Sequence, residues 1–275
     1  SLADFYNVQR ICINHKIDAL KDVSVIIIAK PDSAFDDKDK FIIDQFIMKG
    51  GKALWLIDPV FASMDSLRAS DATVGIAQDL KLEDMLFKYG VRINYDLIQD
   101  YKNAMPIPVV TGNIGNQPQY TFLPWYFFPL IQPTIKHPIV NNLNDIKFEF
   151  ASSIDTVGSK SITKKVLLTT SKYARTLKTP VSISLNMLKE EPDERLFNKS
   201  NIPVAILCEG TFTSVFKDRD FGDSIRNSKD FNYKETSVLT KMIFVSDGDI
   251  IKNTVGILNG SKYPSYPLGY DKYTQ

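Results

Sequence analysis

The chain has 275 residues, of which 44% are hydrophobic and 24% charged, and its formal net charge is +1. That apolar content supports a sizeable core and excludes a mainly disordered chain. A near-neutral balance with acids and bases interspersed excludes a nucleic-acid footprint, and no stretch approaches the ~18–20 apolar residues of a membrane span.

In chain order, Phe5 to Ile13 reads as a plausible first strand with polar interruptions. Val23 to Val60 then reads as a complete β-α-β unit. Val23, Val25, Ile26, Ile27 and Ile28 form a β-branched apolar run of the kind buried on both faces of a parallel sheet. Pro31 and Asp32 end it. Asp36 or Asp37 can cap a helix whose apolar stripe is Phe41, Ile42, Ile43, Phe46, Ile47 and Met48. Gly50-Gly51 stops that helix, and Lys52 to Ile57 is the second strand, closed by Asp58-Pro59. Met64 to Ile76 is polar and rich in small residues and reads as a loop. Leu82, Met85, Leu86 and Tyr89 recur on one helical face, and Gly90 separates them from a strand over Val91 to Ile98.

The middle differs. Tyr101 to Pro138 holds prolines at 106, 108, 118, 124, 129 and 133, a turn cluster at Asn113 to Gln117, and a strongly aromatic run to Ile131. This pattern predicts a β-hairpin or extended excursion. Lys165 to Thr170, Pro203 to Cys208 and Lys241 to Val245 are further strand candidates. A short helix is expected around Asp193 to Phe197, and the charged stretch Lys217 to Lys234 reads as a loop. The expected fold is α/β: a mostly parallel open sheet with helices on both faces, formed by residues 1–100 and 165–275. A proline- and aromatic-rich β region is inserted at 101–164. Ile26, Ile28, Leu54, Leu56, Ala205, Ile206, Ile243 and Phe244 are its expected core, on adjacent strands.

Six blocks carry a family resemblance. They are KPDSAFDDKDKFIIDQFIMKGGKALWLIDPV (30–60), DLKLEDMLFKYGVRIN (79–94), HPIVNNL (137–143), PVAILCEGTFTSVFKDR (203–219), KMIFVSDGDIIKN (241–253) and YPLGYDKYTQ (266–275). In this order the chain resembles the soluble region of the GldG family, gliding-motility-associated proteins grouped with ABC transporters of Bacteroidetes. The resemblance implies a fold related to the class I glutamine amidotransferase-like and flavodoxin-like sheets. It also implies membrane helices outside this stretch, with the stretch itself on the periplasmic side of the bacterial cytoplasmic membrane. The role it implies is an auxiliary, substrate-binding-like component working beside an ABC permease and ATPase, with an oligosaccharide or a protein as ligand.

Four strand ends carry polar residues: Lys30-Pro31-Asp32, Asp58-Pro59, Glu209-Gly210-Thr211 and Ser246-Asp247-Gly248-Asp249. In open α/β sheets ligands bind beyond the carboxyl ends of strands. If these strands are parallel neighbours, Asp32, Asp58, Glu209, Asp247 and Asp249 gather at one edge as a candidate ligand site. The competing reading is plain strand termination and helix capping. Asp247-Gly248-Asp249 invites a metal reading, but a turn before a helix explains it equally, and no metal or cofactor is expected. Cys12 and Cys208 lie in apolar runs and read as buried thiols. Cys208-Glu209-Gly210 after a strand has the topology of a nucleophile elbow, but neither His15 nor His137 is placed to activate it, and the resemblance implies an aliphatic residue there. No catalytic residue is assigned. Trp125, Tyr126, Phe127 and Phe128 form the densest aromatic cluster. One reading is a hairpin that packs these aromatics onto the main sheet; but four consecutive aromatics cannot all face one side of a strand, so part of the cluster is a candidate partner-binding surface. No P-loop is present, so the chain is not the ATPase of a transporter. The functional expectation is a non-enzymatic transporter auxiliary. The alternatives are a divergent hydrolase using Asp32, Asp58 and Asp247 on glycans, and a scaffold whose hairpin docks a membrane partner.

Overall fold

The computed structural model describes residues 2–70, 72–158, 160–219, 232–252, 255–258 and 261–264. β1 (Val25–Ala29), α1 (Asp37–Met48) and β2 (Lys52–Leu56) occupy the first β-α-β unit. Asp36 is the N-cap of α1, its carboxylate accepting from the Asp39 N–H at 2.8 Å. At the other end Gly50 adopts φ +102°, and the Gly50 and Gly51 N–H groups turn back to the Ile47 and Phe46 carbonyls. That left-handed residue closes the helix at the point where glycine carries no Cβ penalty.

β3 (Val60–Phe61), α2 (Met64–Ala69) and β4 (Ala72–Ala77) follow. The stretch read as a loop is thus a one-turn helix capped by Ser63 and a strand that pairs antiparallel to β3. After α3 (Glu83–Lys88) come β5 (Val91–Ile93) and β6 (Asp96–Asp100), two strands where one was expected. β7 (Ala104–Ile114) and β8 (Gln117–Ile131) form a long antiparallel hairpin, and β9 (Ile146–Lys147) pairs with the end of β8. Five strands follow: β10 (Ile154–Thr156), β11 (Ile162–Thr169), β12 (Ala174–Lys178), β13 (Val181–Ser184) and β14 (Pro203–Gly210). The expected helix near Asp193 is a single 3-10 turn, Glu194–Leu196. β15 (Thr240–Val245), β16 (Val255–Leu258) and β17 (Ser261–Pro264) end the described chain. Most of the expected loop at 217–234 lies outside the described residues.

The architecture corrects the expected fold. Strands account for 39% of the protein and helices for 15%, in several small mixed and antiparallel sheets. The central sheet has the order β1-β2-β15-β14-β11. Only β1, β2 and β15 run parallel; β14 is antiparallel to β15 and β11 is antiparallel to β14. Helices α1 and α3 cover one face, through a core containing Ile47, Met85, Trp55, Ile206 and Phe244. Among the described residues the other face carries no helix. Leu56, Ala205, Leu207 and Val245 there meet Ile98, Ile131, Phe148 and Ile202, which come from strands and connecting segments. The physical reason is that the β-rich middle of the chain buries its own apolar residues on that face and leaves no surface for a second helical layer.

Of the expected core, Leu56, Ala205, Ile206 and Phe244 are almost wholly buried, whereas Ile26, Ile28, Leu54 and Ile243 are only partly so. β1 is an edge strand, and Val25 and Ile27 remain about half exposed. Phe5 to Ile13 forms no strand among the described residues; Phe5 to Cys12 is exposed, contrary to the buried thiol expected, and Ile13 packs partly buried against the first core. A third core gathers Trp125, Phe127, Phe128, Phe150, Val181 and Ile183 between the hairpin base and the small sheet β13-β4-β3.

Candidate functional site

The carboxyl ends of β1, β2 and β15 do converge. β2 is followed by Asp58, β15 by Ser246-Asp247-Gly248-Asp249, and β1 by Lys30. Carboxylate oxygens of Asp58, Asp247 and Asp249 lie within 4.8 Å of one another. The Lys30 ammonium sits among them, 2.5 Å from Asp249 Oδ2 and 3.2 Å from Asp58 Oδ2. Backbone donors supply the rest. The Gly248 N–H donates to Asp58 (2.5 Å), and the Glu149 and Asp249 N–H groups donate to the two oxygens of Asp247 (2.6 and 2.7 Å). Ser246 ties the same loop to Ser152 through its hydroxyl and its carbonyl.

This packing explains the protonation equilibria. Asp247 is fully buried. Burial, then the neighbouring Asp58 charge, holds its carboxyl well above the usual carboxylate range against the pull of the two N–H donors. Burial likewise raises Asp58, opposed by the Gly248 N–H and by Lys30. For Lys30 burial works against the ammonium, but the hydrogen bond to Asp249 and the charges of Asp58 and Asp249 outweigh it and keep the pKa above its ordinary value. Three carboxylates at this spacing have the donor set for a hard cation. Here the lysine ammonium already fills the cationic place.

The other expected members stand apart. Asp32 is exposed and accepts a hydrogen bond from the Ser33 hydroxyl. Glu209 lies on β14 opposite Lys241, at the start of β15, because β14 runs antiparallel. Its end of the sheet is therefore opposite to that of Asp58 and Asp247. Lys30 is the member that the choice of carboxylates overlooked. The signal was its position directly after β1 and the need for a cation among buried acids.

None of the expected carboxylates lines the largely apolar crevice beside Ile57 and Pro59. That crevice, about 180 Å³, is lined by Ile57, Pro59, Leu80, Leu86, Phe87 and Tyr95 among others. Ile57 and Pro59 flank Asp58 in sequence, but the Asp58 side chain turns to Gly248 and Lys30 instead. Glu83 also lines this crevice, its carboxylate accepting from the Tyr95 hydroxyl, and Arg92 stands beside it in the lining.

Cys208 is buried on β14 and its thiol is pushed up to about 12, mainly by burial. His15 pairs instead with Asp36 at the start of α1, and the His137 ring accepts from the Ile139 N–H. The aromatic run is mostly core: Trp125, Phe127 and Phe128 are 1%, 0% and 5% exposed. Phe127 and Phe128 pack on Phe150, while the half-buried Tyr126 stacks on Tyr101.

With the geometry in place, the comparisons with known proteins decide the family. A family model described as an ABC-type uncharacterized transport system matches residues 1–275. The chain belongs to this family. It is accordingly an auxiliary component of an ABC-type transport system. A solved structure of the mmIFT52 N-terminal domain is similar at 11% identity and a TM-score of 0.45, covering 90% of this chain and 76% of that one. That likeness is too slight to carry fold or role to this transport-system auxiliary. No curated protein matches the chain.

Proposed function

We propose that the protein is a non-enzymatic, extracytoplasmic auxiliary of an ABC transport complex of the gliding-motility or secretion type, acting beside the permease and ATPase by binding rather than by chemistry. The observation that carries this reading is the family match over the whole chain. The non-enzymatic part is supported by the strand-end cluster, whose carboxylates are engaged by Lys30 and by backbone N–H groups. Those contacts fix loops to one another, which is an architectural use of charge. The ligand class this reading carries is an oligosaccharide or a protein, and the placement is the periplasmic side of the cytoplasmic membrane, with the family's membrane segments outside the stretch described.

Affinity purification of the full-length protein from solubilised membranes tests the reading. Recovery of a permease and an ATPase in stoichiometric amounts is the expected result. Purification free of both, under conditions that preserve other ABC complexes, would remove the proposal.

A further inference from the structure

The outer half of the β7–β8 hairpin has a composition found nowhere else in the chain. Residues 103–135 contain no Asp, Glu, Lys, Arg or His, although 24% of the protein is charged. The two faces of this ribbon differ. On one, Met105, Ile107 and Trp125 are buried in the third core. On the other, three cross-strand pairs stand in line: Pro106 opposite Pro124, Pro108 opposite Phe122, and Val110 opposite Tyr120. Pro106 is half-buried and the other five are exposed; Val110, Tyr120 and Phe122 are 55%, 57% and 51% exposed. Nearer the tip, Ile114 is 71% exposed. A contiguous exposed apolar face of this kind marks an interaction surface.

The ribbon's backbone narrows the choice of partner. Proline lacks an N–H and is tolerated in a strand where that position points away from the neighbouring strand. Pro106 and Pro124 face each other, so both outer edges lose donors at the same level. Such edges are poor templates for pairing with a further strand. They are also cheaper to bring into a medium that offers few acceptors, where each unsatisfied N–H is costly. A surface without charge, with blunted edges and with aromatic rings beside aliphatic side chains, matches the interfacial zone of a bilayer, where Tyr and other aromatics are enriched.

We infer that the Pro106–Val110/Tyr120–Pro124 face contacts the lipid bilayer interface, seating the protein on the membrane that houses its transport system. The contact is apolar and shallow. It does not rest on substrate binding or on any enzymatic role, and it draws on the proposed function only for the presence of a membrane nearby.

Flotation of the full chain with phosphatidylcholine vesicles at millimolar lipid tests it, with a parallel set containing phosphatidylglycerol. Wild type should float with both. The bound fraction should be unchanged between low and high salt, because no charges are involved. The double substitution Tyr120→Asp/Phe122→Asp should lower binding at least tenfold while leaving the circular dichroism spectrum that of the folded protein, since both side chains are more than half exposed. Val110→Lys is the second variant should the first misfold. Tyr120→Trp supplies a direct reporter, with quenching by brominated lipid expected at the ribbon. Absence of flotation, equal binding by the variants, or binding only to the anionic vesicles would each overturn the inference. If wild type ignores vesicles but Phe122→Asp removes the permease from the purified complex, the face is a protein interface and the lipid contact is wrong. Co-purification of the permease without vesicle binding by the isolated chain would leave the auxiliary role standing and the lipid contact refuted.

Discussion

Removal of Asp247 should be destabilising in a way that depends on what replaces it. Asp247 is fully buried and accepts from the Glu149 and Asp249 N–H groups. In Asp247→Ala both donors lose their acceptor. A buried unsatisfied group costs ~1–3 kcal/mol, and Glu149 and Asp249 are only partly buried, which keeps the pair below the full sum of two such groups. The relief of repulsion from Asp58 and Asp249 offsets part of this. The expected net loss is about 1–4 kcal/mol. Asp247→Asn retains an oxygen acceptor, places an amide donor beside two carboxylates and removes the buried charge, so it should stay within about 1 kcal/mol of wild type at neutral pH. The two proteins should also differ in pH dependence. The folded carboxyl of Asp247 is held above its unfolded value, so the native state binds the proton more readily. This contribution therefore favours folding increasingly as pH falls from the raised folded pKa toward 3.8, the ordinary value. Wild type should gain on Asp247→Asn as pH falls through that window, with the gap between them constant above the raised folded pKa. Urea unfolding of the three proteins at several pH values measures all of this. Equal stability of the Ala and Asn variants, or a constant gap between wild type and Asn across pH, would refute the reasoning.

Other outcomes follow from the same structure. Asp44 is buried on α1 and accepts from the Tyr89 and Ser214 hydroxyls, the Val215 N–H and the Gln45 amide; Asp44→Ala should cost about 3–6 kcal/mol in chemical denaturation, as several buried donors lose their acceptor together. Gly248→Ala would place a Cβ 2.6 Å from Lys30 Cβ and 2.9 Å from Lys30 Cα, too close to main chain to be relieved by a rotamer, and should lower stability by about 1–3 kcal/mol in the same assay. A thiol reagent should modify the exposed Cys12 rapidly and leave Cys208 unmodified until the protein unfolds; mass spectrometry of the labelled peptides decides this. Leu56→Ala, at 1% exposure, should cost about 2–5 kcal/mol.

The first β-α-β unit was legible because every local signal agreed: a β-branched run, an Asp cap, a helical stripe and a Gly-Gly stop. Strand direction beyond it was not. β14 and β15 read as two more short apolar strands, and nothing in Pro203 to Cys208 says which way it runs. The direction is set by the connection after Gly210, which returns the chain as an antiparallel neighbour instead of crossing over. That single reversal carried Glu209 away from the candidate site. The cluster of Asp58, Asp247 and Asp249 was legible from strand termination alone, whereas Lys30 required knowing that β1 and β15 flank β2. The aromatic run divides between the two readings that its pattern allowed. Trp125, Phe127 and Phe128 proved to be core, and the exposed apolar residues lie a few positions earlier on the same strand, where alternation places Tyr120 and Phe122 on the face opposite the core.

The contact between Lys30 and Asp249 spans 219 positions of sequence, and this separation bears on how the protein is made. β1, α1 and β2 leave the ribosome early, with the strand pairing they need for each other close at hand. Their third parallel neighbour, β15, arrives only after most of the chain has been translated. Until then one edge of β2 has no partner, and Lys30 and Asp58 lack the loop that engages them. Contacts of such long range are formed late, since the loop between them must be closed before they contribute. Nascent chains halted before residue 240 should therefore hold an open sheet edge, the state in which binding by a chaperone or misassociation between chains is most favoured.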